Sequence, residues 1–122
     1  MRAAQISDGL NLEPRVSRDV GSRRATPRGE ILPGVNEMTF WCSQEVRGNG
    51  LDLAKGIASH LRDVEAHSGF LTEFSESGGK IEYFVGWFSG DQNTGEVFDW
   101  DLLRRLSELR ISLAFDVYGG SE

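Results

Sequence analysis

Two extended stretches, each with one continuous apolar side and separated by a helix signature, constrain this chain more than any other feature. Along residues 80–88, Ile81, Tyr83, Val85 and Trp87 share one side of an extended chain, and Glu82, Phe84 and Phe88 share the other. Along residues 111–118, Ile111, Leu113, Phe115 and Val117 are expected to face the core, with Ser112, Ala114, Asp116 and Tyr118 facing away. Between the two, Leu102, Leu103, Leu106 and Leu109 predict a helix with its leucines inward, running to Arg110. Asp99 stands where a carboxylate caps the first free amides of that helix. A helix that links two strands of one sheet makes them parallel, through a right-handed crossover. Residues 80–118 therefore predict a strand–helix–strand unit.

The rest of the chain carries shorter signals. Ile6 and Leu10 lie on one face of a helix predicted over 3–10, which must end before Pro14. Residues 15–20 read as extended. Residues 21–35, rich in Arg, Gly and Pro, read as an exposed flexible loop. A strand is predicted over 36–45, with Met38, Phe40 and Cys42 on one side and Thr39, Trp41 and Ser43 on the other. Leu53, Ile57, Leu61 and Val64 recur at helical spacing, so 51–66 predicts a helix, with Asn49 as its N-cap. A further helical piece is expected over 69–76, jointed at Ser68-Gly69 and stopped by Gly78-Gly79.

These elements predict an α+β two-layer sandwich. A mixed sheet of about four strands would carry two to three helices on one face, with a ferredoxin-like tendency. A chain of 122 residues fits a single domain, 1–122. Its apolar runs are too short for a membrane span, and residues 1–30 lack the apolar core of a secretory signal. The one cysteine, Cys42, forms no internal disulfide, and a reducing, cytoplasmic setting is expected. Residues 31–122 hold seven basic against fifteen acidic residues, while residues 1–30 hold six arginines against four acids. An acidic body argues against nucleic acid as a partner, because neutralising phosphates needs a basic face.

Three segments carry a resemblance. Leu10-Asn11-Leu12-Glu13-Pro14, Phe84-Val85-Gly86-Trp87-Phe88-Ser89-Gly90, and the run from Leu102-Leu103-Arg104-Arg105-Leu106 through Phe115-Asp116-Val117-Tyr118 together resemble the bacterial domain of unknown function 4279 family. The resemblance covers nearly the whole chain and implies a small α+β domain. It implies no established activity, so no catalytic residue is carried over. Members of that family usually open with a β-strand, whereas here the chain starts almost inside the first helix. A truncated or mis-assigned start is the first explanation. The alternatives are that strand 111–118 or a second chain fills the gap. Homodimer formation through an exposed sheet edge would follow from unpaired flanking strands.

The sharpest candidate site lies where strands 80–88 and 111–118 end together, since loops leaving parallel strands converge at their carboxyl ends. That would gather Trp87, Phe88, Ser89, Asp91, Asn93, Asp116 and Tyr118. Aromatic walls with a carboxylate and a phenol suit a small molecule, or an Arg or Lys from a partner. The plainer reading is packing: Trp87 in the core, Gly86 and Gly90 serving a turn, and Asp116 bonding a backbone amide. A second, weaker candidate is anion binding by Arg18, Arg23 and Arg24, with Arg15 and Arg28 nearby, because guanidinium forks match carboxylates and phosphates. Its plainer reading is a solvated loop pairing with the acidic body.

Other constellations carry no chemistry. His60 and His67 lie two turns apart, roughly 10 Å, so with Asp63 they cannot hold one ion unaided, and no metal site is expected. Ser89 lacks the spacing of a nucleophile elbow, and Cys42 sits within a strand. No glycine loop cradles a phosphate, and no cofactor is expected. The expectation is a non-enzymatic protein-binding or regulatory module, of immunity type among others. The alternative is a small-molecule-binding protein or minor enzyme with its pocket at the strand ends.

Overall fold

In a computed structural model, described for residues 1–48, 52–90 and 95–119, the chain forms two compact units, Met1–Val46 and Arg47–Glu122. The described residues contain four helices and six strands, an α+β composition. The strands pair as three two-stranded ladders among the described residues, in place of the single mixed sheet of about four strands with ferredoxin-like order. Locally complementary partners account for the difference: the four early strands pair among themselves, and the two late strands pair with each other.

The first unit begins with α1 (Ala3–Leu10), which buries Ala3 and Ile6. Asn11 ends it in the left-handed region at φ 54°, a conformation that Asn tolerates better than most residues. β1 (Pro14–Arg18) follows and pairs antiparallel with β4 (Phe40–Ser43). The Trp41 indole N–H donates to Ser7 Oγ at 3.0 Å, tying β4 to α1, and the Ala3 amide donates to Asp19 Oδ1 at 2.6 Å.

Residues 21–35 are not a structureless loop. β2 (Arg23–Ala25) and β3 (Ile31–Val35) form an antiparallel hairpin there. The prolines and glycines that suggested a loop supply its turn chemistry. Pro27 supplies a preset φ, Gly29 takes φ +92°, and Thr26 and Glu30 are bridged by a backbone bond of 2.8 Å. Strand β4 is also shorter than the predicted 36–45. Asn36 instead bonds Ser22 and Asp19 at the hairpin base, and the Thr39 hydroxyl accepts from the Val20 amide.

The second unit runs α2 (Leu53–Glu65), α3 (Ser68–Glu76), β5 (Ile81–Gly90), α4 (Trp100–Glu108) and β6 (Ile111–Gly119). The expected N-cap Asn49 lies outside the described residues; Asp52 occupies the cap position of α2. Ile57, Leu61, Val64, Leu71, Leu102, Leu106, Leu109 and Ile111 are the buried side chains among the described residues of this unit, with Leu61 fully buried. Asp99 Oδ1 accepts the Leu102 amide at 2.9 Å and so caps α4 as the sequence predicts. Leu103 faces outward, not inward. At 100° per residue, positions 102, 106 and 109 share a stripe that excludes 103.

Strands β5 and β6 are parallel, in register from Ile81↔Ile111 to Phe88↔Tyr118. The register slips between Phe88 and Gly90, so β5 has one extra residue before Gly90 pairs with Gly119. Burial of the inward face fades along β6. Ile111 is buried and Leu113 half-buried, while Phe115 and Val117 are exposed and thus depart from their expected core positions.

Candidate functional site

The two-residue period of β5 decides how the predicted strand-end residues are distributed. Ile81, Tyr83, Val85 and Trp87 are half-buried, whereas Glu82, Phe84, Gly86 and Phe88 are exposed. Parallel register puts directly paired residues on one side of the ribbon. Phe88 and Tyr118 therefore stand together, with Asp116 beside Gly86, and Trp87 lies on the opposite face with Val117. Ser89 belongs to the backbone of β5, but its side chain is outside the described part. Asp91 and Asn93 lie outside the described residues.

On the exposed face, the Phe88 and Tyr118 rings stack with centroids 4.6 Å apart and planes 11° from parallel. Phe84 is 67% exposed, Phe88 75% and Tyr118 48%, so the ledge is aromatic and open. Gly86 interrupts it. A Cβ there would stand 3.7 Å from Phe88 Cε2, which shows the Phe88 ring leaning back over the glycine. The Tyr118 hydroxyl donates to Asp116 Oδ2, and this bond to a carboxylate pushes the Tyr118 phenol up from its ordinary value near 10. An aromatic ledge beside a fixed carboxylate can accept a cationic side chain, with its apolar stem on the rings and its charge on Asp116.

On the opposite face, Trp87 packs toward Phe115 at 6.3 Å between centroids, and Phe115 toward Phe98 at 5.6 Å. Lower on this face, Tyr83 Oη and His60 Nδ1 share a hydrogen bond of 2.7 Å, with the two rings edge to face. Burial, with the Glu65 and Asp63 charges, pushes the Tyr83 phenol far up, so it remains neutral and can donate to the imidazole. His60 therefore has a phenol for a partner. Among the described residues no group of histidine, cysteine and carboxylate side chains is placed to hold a metal ion.

The candidate arginines separate by strand face. Arg18 lies on β1 over the Phe40 ring, and Arg24 on β2 donates to the Pro33 carbonyl at 3.3 Å. Arg23, next along β2, pairs across the hairpin with Val35. Arg18 and Arg24 border a common groove that Arg23 does not line.

Two contacts went unanticipated by sequence reasoning. One is the His60–Tyr83 bond, and the other an ion pair of Glu65 with Arg105. Glu65 and Arg105 each sit at the polar edge of an apolar helical stripe, and that shared position is the only signal the sequence offers for the pair. No helix among the described residues is long and apolar enough to cross a membrane.

No curated protein and no solved structure matches the chain. One family does: its model, described as "Domain of unknown function (DUF4279)", matches residues 1–120 and spans both compact units. With nearly its whole length covered, the chain belongs to the DUF4279 family.

Proposed function

We propose that this chain is a protein-binding module, regulatory or of immunity type, working in the cytoplasm and docking its partner on the exposed face of β5 and β6. The observation that carries the reading is the stacked Phe88–Tyr118 pair, open to solvent beside Asp116. Contiguous exposed aromatics on a small domain mark an interaction surface. Charge supports a basic occupant. The first unit holds six basic and six acidic residues, whereas the second holds seven basic and thirteen acidic, so it carries the whole net charge of −6. The matching partner surface is basic and offers an Arg or Lys to Asp116. Because the family model spans both units, we treat 1–122 as one domain in this role.

The small-molecule alternative needs a concave aromatic pocket around Asp116 and Tyr118; the two stand together, but beside rings that are open to solvent. The open ledge favours the protein partner. Affinity capture from the source lysate, run in parallel with wild type, Phe88→Ala and Asp116→Lys, tests the reading. The expected result is a stoichiometric protein held by wild type and lost from both variants, with unchanged far-ultraviolet circular dichroism. A partner retained by both variants, or none held by wild type, contradicts it.

A further inference from the structure

A second surface, independent of the β5–β6 face, lies in the first unit. Cross-strand register sets Arg18 opposite Phe40, and the guanidinium carbon stands 4.7 Å from the ring centre. On the hairpin, Arg24 lies against Gly34. That glycine has φ +85°, and an added Cβ would stand 3.9 Å from Arg24 Cδ. The two arginines border an open groove of about 700 Å³ with Val35, Glu37, Met38 and Phe40 among its walls. Met38 is 72% and Phe40 43% exposed, so the groove presents apolar surface to solvent. Neither arginine is in an ion pair among the described residues. Arg24 spends one donor on Pro33, so most of both guanidinium forks remains available.

We propose that this groove binds an acidic peptide segment of a partner protein, with carboxylates on Arg18 and Arg24 and an apolar side chain on Met38 and Phe40. A guanidinium fork matches a carboxylate with two parallel hydrogen bonds, and stacking on Phe40 holds the Arg18 fork in place before binding. The mixture of charge and apolar wall selects the peptide over a nucleic acid. Met38 and Phe40 offer a wall for an apolar side chain, which a phosphate track would leave uncovered.

The probe is a fluorescein-labelled octapeptide of alternating Asp and Leu, followed by fluorescence anisotropy. An octapeptide of alternating Lys and Leu and an oligothymidylate of equal length serve as comparisons. The Asp-Leu peptide is expected to bind with Kd below about 1 mM. Arg18→Gln and Arg24→Gln should each weaken it about tenfold, the loss of one charged hydrogen-bonding partner. Met38→Ala should weaken it about threefold, and Asp116→Asn should leave it unchanged, which separates this groove from the β5–β6 face. All four positions are exposed, so circular dichroism should stay constant. If Arg18 only shields Phe40, its substitution will change stability without changing affinity. That result overturns the proposal, as does an Asp-Leu peptide that fails to bind or an oligothymidylate that binds more tightly.

Discussion

Arg105 holds Glu65 with two parallel hydrogen bonds, Nε to Oε2 at 2.9 Å and Nη2 to Oε1 at 2.8 Å, and so ties α4 to α2. The same guanidinium reaches the Ala58 carbonyl at 3.4 Å. Arg105 beside it holds the Glu65 carboxyl below its ordinary value of 4.5, and Arg104 and Arg62 add to the effect. A lowered folded-state value means that the pair stabilises fully above the unfolded value and ceases to do so as pH falls through the folded one. Partial exposure screens the pair, so Glu65→Gln should cost about 1 kcal/mol at neutral pH. Urea unfolding over a pH series should show the gap between wild type and variant closing below pH 4.5. A gap independent of pH would show that the charge contributes nothing.

Gly79 has no room for a side chain. A Cβ there would overlap Cε2, Cζ and Cδ2 of Phe74, whose ring is held by stacking on Phe70 at 6.3 Å. Gly79→Ala should therefore destabilise the protein by about 1–3 kcal/mol through overpacking. Adding Phe74→Leu should recover part of that loss, which denaturant midpoints of the single and double variants would reveal.

Arg110 follows α4 in the left-handed region at φ 56°, where its amide bonds the Ser107 carbonyl at 2.9 Å. A Cβ in that conformation crowds the following carbonyl, and glycine is the residue that usually ends a helix this way. Arg110→Gly should raise stability by about 1 kcal/mol, read as a higher thermal midpoint. Asn11→Gly, at a similar φ of 54°, should gain less because Asn already tolerates the conformation. Equal gains at both positions would contradict this account.

Much of the second unit was legible in the sequence, because period and capping agree there. Alternation over 80–88, the Asp99 cap and the leucine stripe each point to the same local structure, and parallel pairing of β5 with β6 follows from the helix between them. The first unit was harder. Its strands are short, and Pro27 and Gly29 serve a hairpin turn with the same residues that a loop would use. At the candidate site, adjacent positions on one strand place Trp87 and Phe88 on opposite sides, so the strand-end aromatics divide between the two faces. The Phe88–Tyr118 stack depends on residue-level register between strands thirty residues apart, which no local pattern encodes.

The Tyr118–Asp116 bond has a spectroscopic consequence. Because the carboxylate pushes the Tyr118 phenol up, Asp116→Asn should return it toward its ordinary value near 10. The titration is read in a Tyr83→Phe background, which leaves Tyr118 as the one tyrosine of the sequence. An ultraviolet difference titration in which Asp116→Asn leaves Tyr118 unmoved would show that the bond does not persist in solution.

The central claim is that a protein partner docks on the exposed aromatic ledge of β5 and β6. Its most direct measurement is photo-crosslinking from p-benzoylphenylalanine placed at Phe88, compared with the same group at Ser59, an exposed position on α2. The account predicts one dominant crosslinked protein from position 88, abolished by Asp116→Lys, and none from position 59. Equal crosslinking from both positions, or a product from position 88 that survives Asp116→Lys, would contradict it.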